Sequence, residues 1–219
     1  QIAFLNQWYP TVRDGITARI ADPVRRDALY SLPPENFYLP AIEFFAREQF
    51  PWFADLEAHT ATIRSELLGL WAEENANFRP YVTYEAGVPV GDWAELNWSP
   101  RWCAFFLWEN GARHEANCAR CPKTAAIIEA LPLLDIPGKS PTVMFSILQP
   151  RTRIPPHTGS SNIRTTIHLP LVVPPGCGFR VGAETREWVE GEAWAFDDTI
   201  EHEAWNDSDQ LRLILIFDI

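Results

Sequence analysis

The sequence predicts a mainly β fold of the α+β class, a sandwich or double-sheet jelly roll with N-terminal helices packed on one sheet. Short strand-like runs dominate the chain after residue 141. Turns rich in glycine and proline, such as Pro174-Pro175-Gly176, separate these runs. Clear helical periodicity is concentrated before them. Many short strands with regular turns are typical of sandwiches and jelly rolls.

The predicted strands are defined by apolar and β-branched runs between turn residues. One aromatic run covers residues 102–109 and ends at Asn110-Gly111, which is a turn signal. The later runs are residues 142–148, 164–173, 178–182, 187–190, 193–196 and 211–218.

Two helices are predicted. Residues 51–74 carry Phe53, Leu56, Ile63, Leu67 and Trp71 at three-to-four spacing, which places them near one helix face. Residues 122–131 begin with Pro122, a residue favoured at the first helical position. We expect one domain over residues 1–219, with 1–100 as a mostly helical or irregular support and 101–219 as the β core.

Composition excludes several classes of protein. Hydrophobic residues make up 47% of the 219 residues, which indicates a folded globular chain. The formal net charge of −11 argues against general binding to nucleic acid. No run approaches the ~20 apolar residues that a membrane span needs, and residues 1–6 lack the features of a signal peptide. We therefore expect a cytoplasmic protein, whose oligomeric state the sequence leaves open.

Cys118 and Cys121 form a lone CxxC motif. A structural zinc site needs four ligands, and a second CxxC motif is missing; His114 would supply only a third. We expect these thiols to bind no metal and to form no obligatory disulfide.

The pattern that indicates chemistry is built on two histidines. His157 stands in Pro-Pro-His-Thr-Gly, His202 follows 45 positions later, and Arg212 lies ten positions beyond it. Non-haem Fe(II) oxygenases hold iron with two histidines and one carboxylate, leaving positions open for substrates. Here Gly159 stands where the carboxylate would be expected.

Other polar residues fall within predicted strands. Arg164, Thr166 and His168 alternate, so their side chains are expected on one face, where a buried anionic ligand would compensate them. Arg212 is the only charge between residues 211 and 217. Two explanations stay open for it: a dicarboxylate ligand, or edge exposure or a salt bridge to Glu201, Asp207 or Asp209.

Hydrolysis by a serine nucleophile is disfavoured. Ser160, Ser161 and Asp198 lie close to the two histidines in sequence, but the chain contains no Gly-x-Ser-x-Gly motif.

The sequence from about residue 51 to 219 closely resembles the aspartyl/asparaginyl β-hydroxylase family of Fe(II)/2-oxoglutarate dioxygenases. The matching stretches are residues 102–108 with Gly111, 121–124, Ser146, 157–159 with Asn162, His168-Leu169, and 196–205 with Arg212. The resemblance implies a double-stranded β-helix, a cupin-like jelly roll, in agreement with the strand pattern.

The resemblance also implies a site. His157 and His202 would bind Fe(II), with glycine at position 159 as in the family. Trp102, Ser146, His168 and Arg212 match positions that bind 2-oxoglutarate. Thr166 falls at a further cosubstrate position, where the family has arginine, and Arg164 is the residue that could compensate for it.

The implied reaction uses O2 and 2-oxoglutarate to hydroxylate an aspartyl, asparaginyl or related substrate, with release of succinate and CO2. The substrate would be a peptide, a protein or a small molecule. Alternatives are a non-catalytic jelly-roll binding protein, and a hydroxylase or halogenase of a small molecule or acyl chain, since Gly159 leaves room for a halide beside the iron.

Overall fold

The computed structural model describes residues 42–73, 77–136, 138–159 and 164–219. Every described residue belongs to one compact unit of the chain, residues 41–219. The prediction of a single domain over the whole chain stays a prediction. Ser160, Ser161 and Asn162, named above, lie outside the described residues.

Helices occupy the first part of this unit and one later segment. The predicted helix over residues 51–74 is two helices that meet at exposed His59, α1 (Phe53–Ala58) and α2 (Thr60–Trp71). The predicted second helix is α4 (Pro122–Glu129), and an unpredicted helix α3 (Glu115–Arg120) precedes it. Short 3-10 helices cover Arg47–Gln49 and Gly91–Trp93. None of the helices among the described residues combines the length and apolar character that crossing a bilayer requires.

Glu66 of α2 fixes the start of α4. Its carboxylate accepts hydrogen bonds from the backbone N–H groups of Lys123 and Thr124, at 3.0 and 2.7 Å. These N–H groups have no partner within their own helix, and the positive end of the helix dipole favours a carboxylate there. The contact therefore joins the two main helices into one layer.

Eleven strands are present in the described residues. They are β1 (Arg79–Pro80), β2 (Trp102–Glu109), β3 (Ala112–Arg113), β4 (Val143–Leu148), β5 (Thr152–His157), β6 (Thr166–Val172), β7 (Cys177–Val181), β8 (Glu184–Arg186), β9 (Trp194–Phe196), β10 (His202–Asn206) and β11 (Arg212–Asp218).

The sequence misplaced one strand and missed two longer ones. The predicted strand over residues 187–190 is wrong: the strand is β8, and Trp188 lies in the connection that follows it. β5 was missed because Pro155 and Pro156 interrupt its pattern, since prolines cannot donate to a ladder. β10 was missed because it is short and alternates polar with apolar residues directly after an acidic loop.

The strands form two antiparallel sheets. The larger has the order β1-β2-β4-β11-β6-β9, with β3 paired to β2, and the smaller has the order β5-β10-β7-β8. Strands β4 to β7 thus alternate between the sheets: β4 and β6 lie in the larger sheet, and β5 and β7 in the smaller. This two-sheet arrangement confirms the predicted jelly roll.

The two faces of the larger sheet pack against different parts of the protein. One face carries Phe105, Phe145 and Leu215, which are fully buried in one cluster with Ile63 and Leu67 of α2. The helices therefore pack on this face, as predicted. The other face carries Trp102, Leu148 and Ile214, which pack with the smaller sheet. Because helices supply the main core, the space between the sheets is free to hold polar groups.

Asn206 on β10 ties the sheets together. Its side-chain amide is fully buried and donates to the carbonyls of Leu148 and Gln210, at 3.1 and 2.7 Å. Both acceptors adjoin the ends of strands in the larger sheet. The hydrogen bonds fix the distance between the sheets near Arg212.

The CxxC cysteines belong to the packing between helix and sheet. Cys118 and Cys121 are buried free thiols whose Sγ atoms donate to the carbonyls of Leu107 and Asn117. Burial raises the pKa of the Cys121 thiol to about 12. A thiol with this pKa stays protonated at neutral pH, and the thiolate is the form that binds metal and reacts.

The double variant Cys118→Ser/Cys121→Ser should therefore bind the same metals as the wild type. Its unfolding free energy should fall by about 1 kcal/mol per site, as for most single substitutions. Metal analysis and urea denaturation measure both. The control is Cys103→Ser, because Cys103 is another buried thiol that donates to a backbone carbonyl. Stoichiometric zinc that is lost only in the double variant would contradict this interpretation.

Candidate active site

A cavity of about 770 Å³ opens between the two sheets. Its wall includes the candidate residues of both sheets, together with aromatic residues that precede β2. The candidate residues that line it are Trp102, Ser146, His157, Thr166, His168, His202 and Arg212. The fold thus brings all of the predicted site residues to one cavity.

His157 and His202 lie side by side on adjacent strands of the smaller sheet. His157 ends β5, His202 begins β10, and the two residues are direct partners in the antiparallel ladder. Direct partners place their side chains on the same face, with Cβ atoms ~5 Å apart. The imidazole centroids are 4.1 Å apart. A β-bulge after His202 ends the regular register there.

Backbone carbonyls fix the tautomer of both rings. Nδ1 of His157 lies 2.8 Å from the carbonyl oxygen of Pro155, and Nδ1 of His202 lies 2.9 Å from that of Ile200. A carbonyl can only accept, so Nδ1 carries the proton and Nε2 keeps its lone pair. Histidine ligands of metals are commonly oriented in this way.

Burial keeps both imidazoles neutral. Desolvation lowers the pKa of His157, and it lowers that of His202 to about 4, with the nearby His157 as a further cause. A neutral imidazole is the form that binds a metal ion. Within the described part of the chain, no group of three or more His, Cys, Asp or Glu side chains is arranged to hold a metal. Of these described residues, His157 and His202 are the two that would bind a metal here.

Gly159 faces Asp198, which adjoins the histidine pair. A Cβ atom at position 159 would overlap the Asp198 carboxyl group, and the Gly159 N–H donates to the Asp198 carbonyl. No larger side chain, and so no carboxylate, fits at position 159 without displacing Asp198. Burial raises the pKa of the Asp198 carboxyl to about 6, while Arg164 acts in the opposite direction.

Arg212 lies at another part of the cavity wall and is 1% exposed. Its Nε and Nη2 atoms have no hydrogen-bond partner. The eleven other arginines of the described residues each form an ion pair with a carboxylate, and Arg212 forms none. Desolvation lowers the pKa of Arg212 to about 10, so it stays charged. The alternatives of edge exposure or a salt bridge are therefore wrong.

Further polar groups line the same cavity as Arg212. Ser146 is fully buried on β4, and its hydroxyl accepts a hydrogen bond of 3.0 Å from the Trp102 indole. His168 is buried on β6 with Nδ1 unpartnered. Desolvation, and then the charge of Arg212, keep the pKa of His168 well below the usual range. A cavity that holds a buried cation, a neutral imidazole and a hydroxyl is suited to a carboxylate ligand.

Trp188 packs against this cation. Its indole is buried, and the Arg212 guanidinium carbon lies 5.2 Å from the ring centroid. A cation over an indole face gains electrostatic stabilisation, which is larger when both are desolvated. No sequence signal pointed to Trp188, because the residues around it were predicted to form a strand.

The predicted polar row of Arg164, Thr166 and His168 is only partly present. β6 begins at Thr166, so Arg164 precedes the strand. Arg164 lines the cavity, but its guanidinium lies 2.9 Å from the Asp218 carboxylate and 3.5 Å from that of Asp198. Thr166 hydrogen-bonds the Asp198 side chain. Arg164 and Thr166 thus have carboxylates of the protein as partners, where the sequence pattern predicted an anionic ligand.

Comparison with known proteins identifies the family. The family model described as aspartyl/asparaginyl beta-hydroxylase matches residues 57–219, which is most of the chain. The chain belongs to the aspartyl/asparaginyl β-hydroxylase family. The resemblance inferred from the sequence is confirmed.

Curated relatives of this family member have different named substrates. It is 36% identical over 173 residues to the human aspartyl/asparaginyl beta-hydroxylase, covering 75% of this chain and 20% of that protein. It is also 36% identical over 174 residues to the ornithine lipid ester-linked acyl 2-hydroxylase of Rhizobium tropici, covering 77% and 57%. The chain thus spans less than two thirds of the length of these relatives.

Solved structures resemble this family member only weakly. A cupin domain from Bordetella pertussis matches with a TM-score of 0.32 and 19% identity, over 38% of this chain and 85% of that one. KdgF from Halomonas matches with a TM-score of 0.34 and 11% identity, over 55% and 80%. The strand order described above, and not this likeness, establishes the jelly roll.

The role assigned to Trp188 can be tested by substitution. Trp188→Leu should weaken binding of 2-oxoglutarate, the predicted cosubstrate, by about tenfold, which corresponds to loss of ~1.4 kcal/mol of cation–π stabilisation. Trp188→Phe keeps an aromatic face and should lose less. Titration calorimetry gives the dissociation constants.

A matched control is Trp205→Leu, which removes a comparable contact with Arg153, at 5.7 Å on another part of the protein. It should leave cosubstrate binding unchanged. Equal affinity in the wild type and in Trp188→Leu would show that the indole does not position Arg212.

Proposed function

We propose that this protein is an Fe(II)- and 2-oxoglutarate-dependent dioxygenase that hydroxylates an aspartyl, asparaginyl or related substrate and releases succinate and CO2. Membership of a hydroxylase family supports the hydroxylation. The observation that carries the cosubstrate is Arg212, a buried and unpaired guanidinium in a cavity that also contains the two histidines. A buried cation without a partner is costly, and a ligand carboxylate would remove that cost.

The residues present fit Fe(II) and the cosubstrate. His157 and His202 would hold the metal through Nε2, because their Nδ1 atoms are bound to carbonyls. A site with two protein ligands leaves coordination positions for other molecules. Arg212 and Ser146 would bind the distal carboxylate of 2-oxoglutarate, and Trp102 would hold the Ser146 hydroxyl in place. His168 and Thr166 complete the proposed cofactor-binding set.

When bound, Fe(II) with 2-oxoglutarate and O2 supplies the oxidising power for hydroxylation. The chain itself orients the ligands and limits water. Arg212 and Trp188 form a rigid, buried anchor at one part of the cavity. The carbonyls of Pro155 and Ile200 hold the histidine rings. Rigid positioning of this kind is the main contribution that a protein makes to cofactor chemistry.

Asp198 favours hydroxylation over halogenation. Its carboxyl group lies where a side chain at position 159 would be, so the space beside Gly159 is filled. The Asp198 carboxyl group in that space disfavours the halogenase alternative. The alternative of a non-catalytic binding protein is disfavoured because both histidines are held in the tautomer of a metal ligand.

Two histidine substitutions test the metal site. His157→Ala and His202→Ala should each abolish Fe(II)-dependent succinate formation and weaken Mn(II) binding, with circular dichroism unchanged. His59→Ala is the control, since His59 is an exposed histidine between α1 and α2. Full activity and full metal affinity in either site variant would refute the assignment.

Arg212 can be tested apart from the metal. Arg212→Ala should raise the cosubstrate requirement by about 100-fold, the size expected when one partner of a buried charged pair is removed. Arg212→Met removes the charge while keeping volume. We expect it to lose the same affinity without loss of stability, because the cation has no partner in the protein. Metal affinity should not change. A destabilised Met variant with normal cosubstrate affinity would make Arg212 a structural residue.

A further inference from the structure

We propose that Trp93, Trp102 and Tyr81 form an electron-transfer route between the proposed metal site and solvent, which discharges an oxidant that finds no substrate. This inference rests on the proposed function and adds a second, protective reaction to the same site. Three features of the structure support it: the contacts between the three rings, the exposure of the last ring, and the poorer fit of the aromatic residues beside the other histidine.

The three rings form a continuous series that begins at a proposed metal ligand. The Trp93 ring meets the His157 ring edge-on, with centroids 5.1 Å apart. Trp93 and Trp102 stack with centroids 6.2 Å apart, and Trp102 and Tyr81 stack with centroids 4.1 Å apart. Stacking brings the π systems of two rings close together, and electron transfer is faster the closer the two groups lie. Each step of the series therefore crosses a single ring-to-ring contact.

The series ends at solvent. Trp102 is 5% exposed and Trp93 is partly buried, whereas Tyr81 is 41% exposed. A soluble reductant can therefore reach Tyr81 and is kept from Trp102. Indole and phenol rings are among the protein side chains that lose one electron most readily, so every member of the series can be oxidised and reduced in turn.

The aromatic residues beside the other histidine form a poorer route. The His202 ring contacts Phe179, with centroids 5.8 Å apart, and Phe179 contacts Trp188 at 5.5 Å. A phenylalanine ring is much harder to oxidise than an indole or a phenol. The Arg212 guanidinium carbon lies 5.2 Å from the Trp188 centroid, and a positive charge in a buried place opposes the loss of an electron from the ring. Oxidation is therefore favoured on the Trp93 side.

Discharge consumes two electrons and two protons for each O2. In the proposed reaction one oxygen atom of O2 enters succinate, and without substrate the other atom must leave as water. For each electron, Trp93 is oxidised by the site, Trp102 reduces Trp93, and Tyr81 reduces Trp102. The Tyr81 phenol O–H bond breaks and its proton passes to solvent, while the protons for water enter through the cavity. A soluble enediol such as ascorbate then returns a hydrogen atom to the Tyr81 oxygen.

This discharge protects side chains that line the same cavity. Trp93 and Met144 both line it, and Met144 is buried. Oxidation of a buried methionine to its sulfoxide puts a polar group into the core. Excluding such competing reactions is one of the tasks of a protein that binds a redox cofactor.

The test detects the radical directly. The Fe(II) and 2-oxoglutarate complex of the whole chain is mixed with O2 in the absence of substrate and frozen at intervals for electron paramagnetic resonance. We expect a tyrosyl signal that narrows when the protein contains ring-deuterated tyrosine. Tyr81→Phe keeps the ring that stacks on Trp102 and removes only the hydroxyl, and it should lose the signal. Ascorbate should quench the signal and increase the succinate released before inactivation.

Variants follow the route and control for position. Tyr84→Phe is the matched control, because Tyr84 lines the same cavity, is 39% exposed, and stacks on none of the described rings. It should keep the signal. Trp93→Phe should lose the tyrosyl signal per succinate released, although Tyr81 is still present. Peptide mass spectrometry should find more added oxygen on Trp93 and Met144 in Tyr81→Phe than in the wild type.

A second oxidant separates this inference from the proposed function. Hydrogen peroxide, added to the Fe(II) protein without 2-oxoglutarate, should also produce the Tyr81 radical, and His157→Ala should not form it. If peroxide produces the radical but O2 and 2-oxoglutarate yield no succinate, the proposed function fails and the route stands. If succinate is released but no tyrosyl radical forms, or if Tyr81→Phe keeps the signal, the route is overturned.

Discussion

The charged, unpaired side chain of Arg212 is the constraint on which the rest of the site depends. A guanidinium that is almost fully buried without a carboxylate destabilises the folded protein. The fold tolerates it because the Trp188 face lies over it and because neutral groups adjoin it. A carboxylate of the protein in the same place would stabilise the sheet, but it would also occupy the position that a ligand needs. The unpaired cation is therefore best explained as stability given up for binding.

The helical layer makes this arrangement possible. A two-sheet protein usually fills the space between its sheets with its main core. Here the helices pack on the outer face of the larger sheet and form the cluster that contains Phe105, Phe145 and Leu215. The inner face then carries Ser146 and Arg212 instead of a continuous apolar layer. The smaller sheet contributes the histidines as cross-strand partners, so its register sets their separation. Each layer thus has one function: the helices stabilise, the larger sheet binds the proposed cosubstrate, and the smaller sheet holds the proposed metal.

The sequence predicted the jelly roll and the residues that line one cavity better than it predicted the environment of each residue. Periodicity located β2, β4, β6 and β11, because these buried strands read as continuous apolar runs. It missed β5 and β10, the strands that carry the histidines, because functional side chains and prolines replace the apolar pattern there. The ion pairs of Arg164 could not be predicted, since Asp198 and Asp218 are 34 and 54 positions away in sequence. Trp188 was missed for the same reason: its contact is with Arg212, which is 24 positions away in sequence.

The distribution of charge explains why family membership leaves the substrate open. Near Gly159 and Tyr81 the arginines are neutralised by carboxylates of the protein, whereas Arg212 is left positive. The cavity is therefore polarised, with a cationic part suited to a dicarboxylate and a neutral aromatic part that can accept a second molecule. Two curated relatives with the same identity to this chain are named for an amino-acid residue and for a lipid acyl chain. The proposed roles of the two histidines and Arg212 are the same for either substrate, so these residues do not distinguish the two. Discrimination then depends on whether the wall offers an unpaired charge, and in this chain the arginines that could offer one are held by Glu109, Asp198 and Asp218.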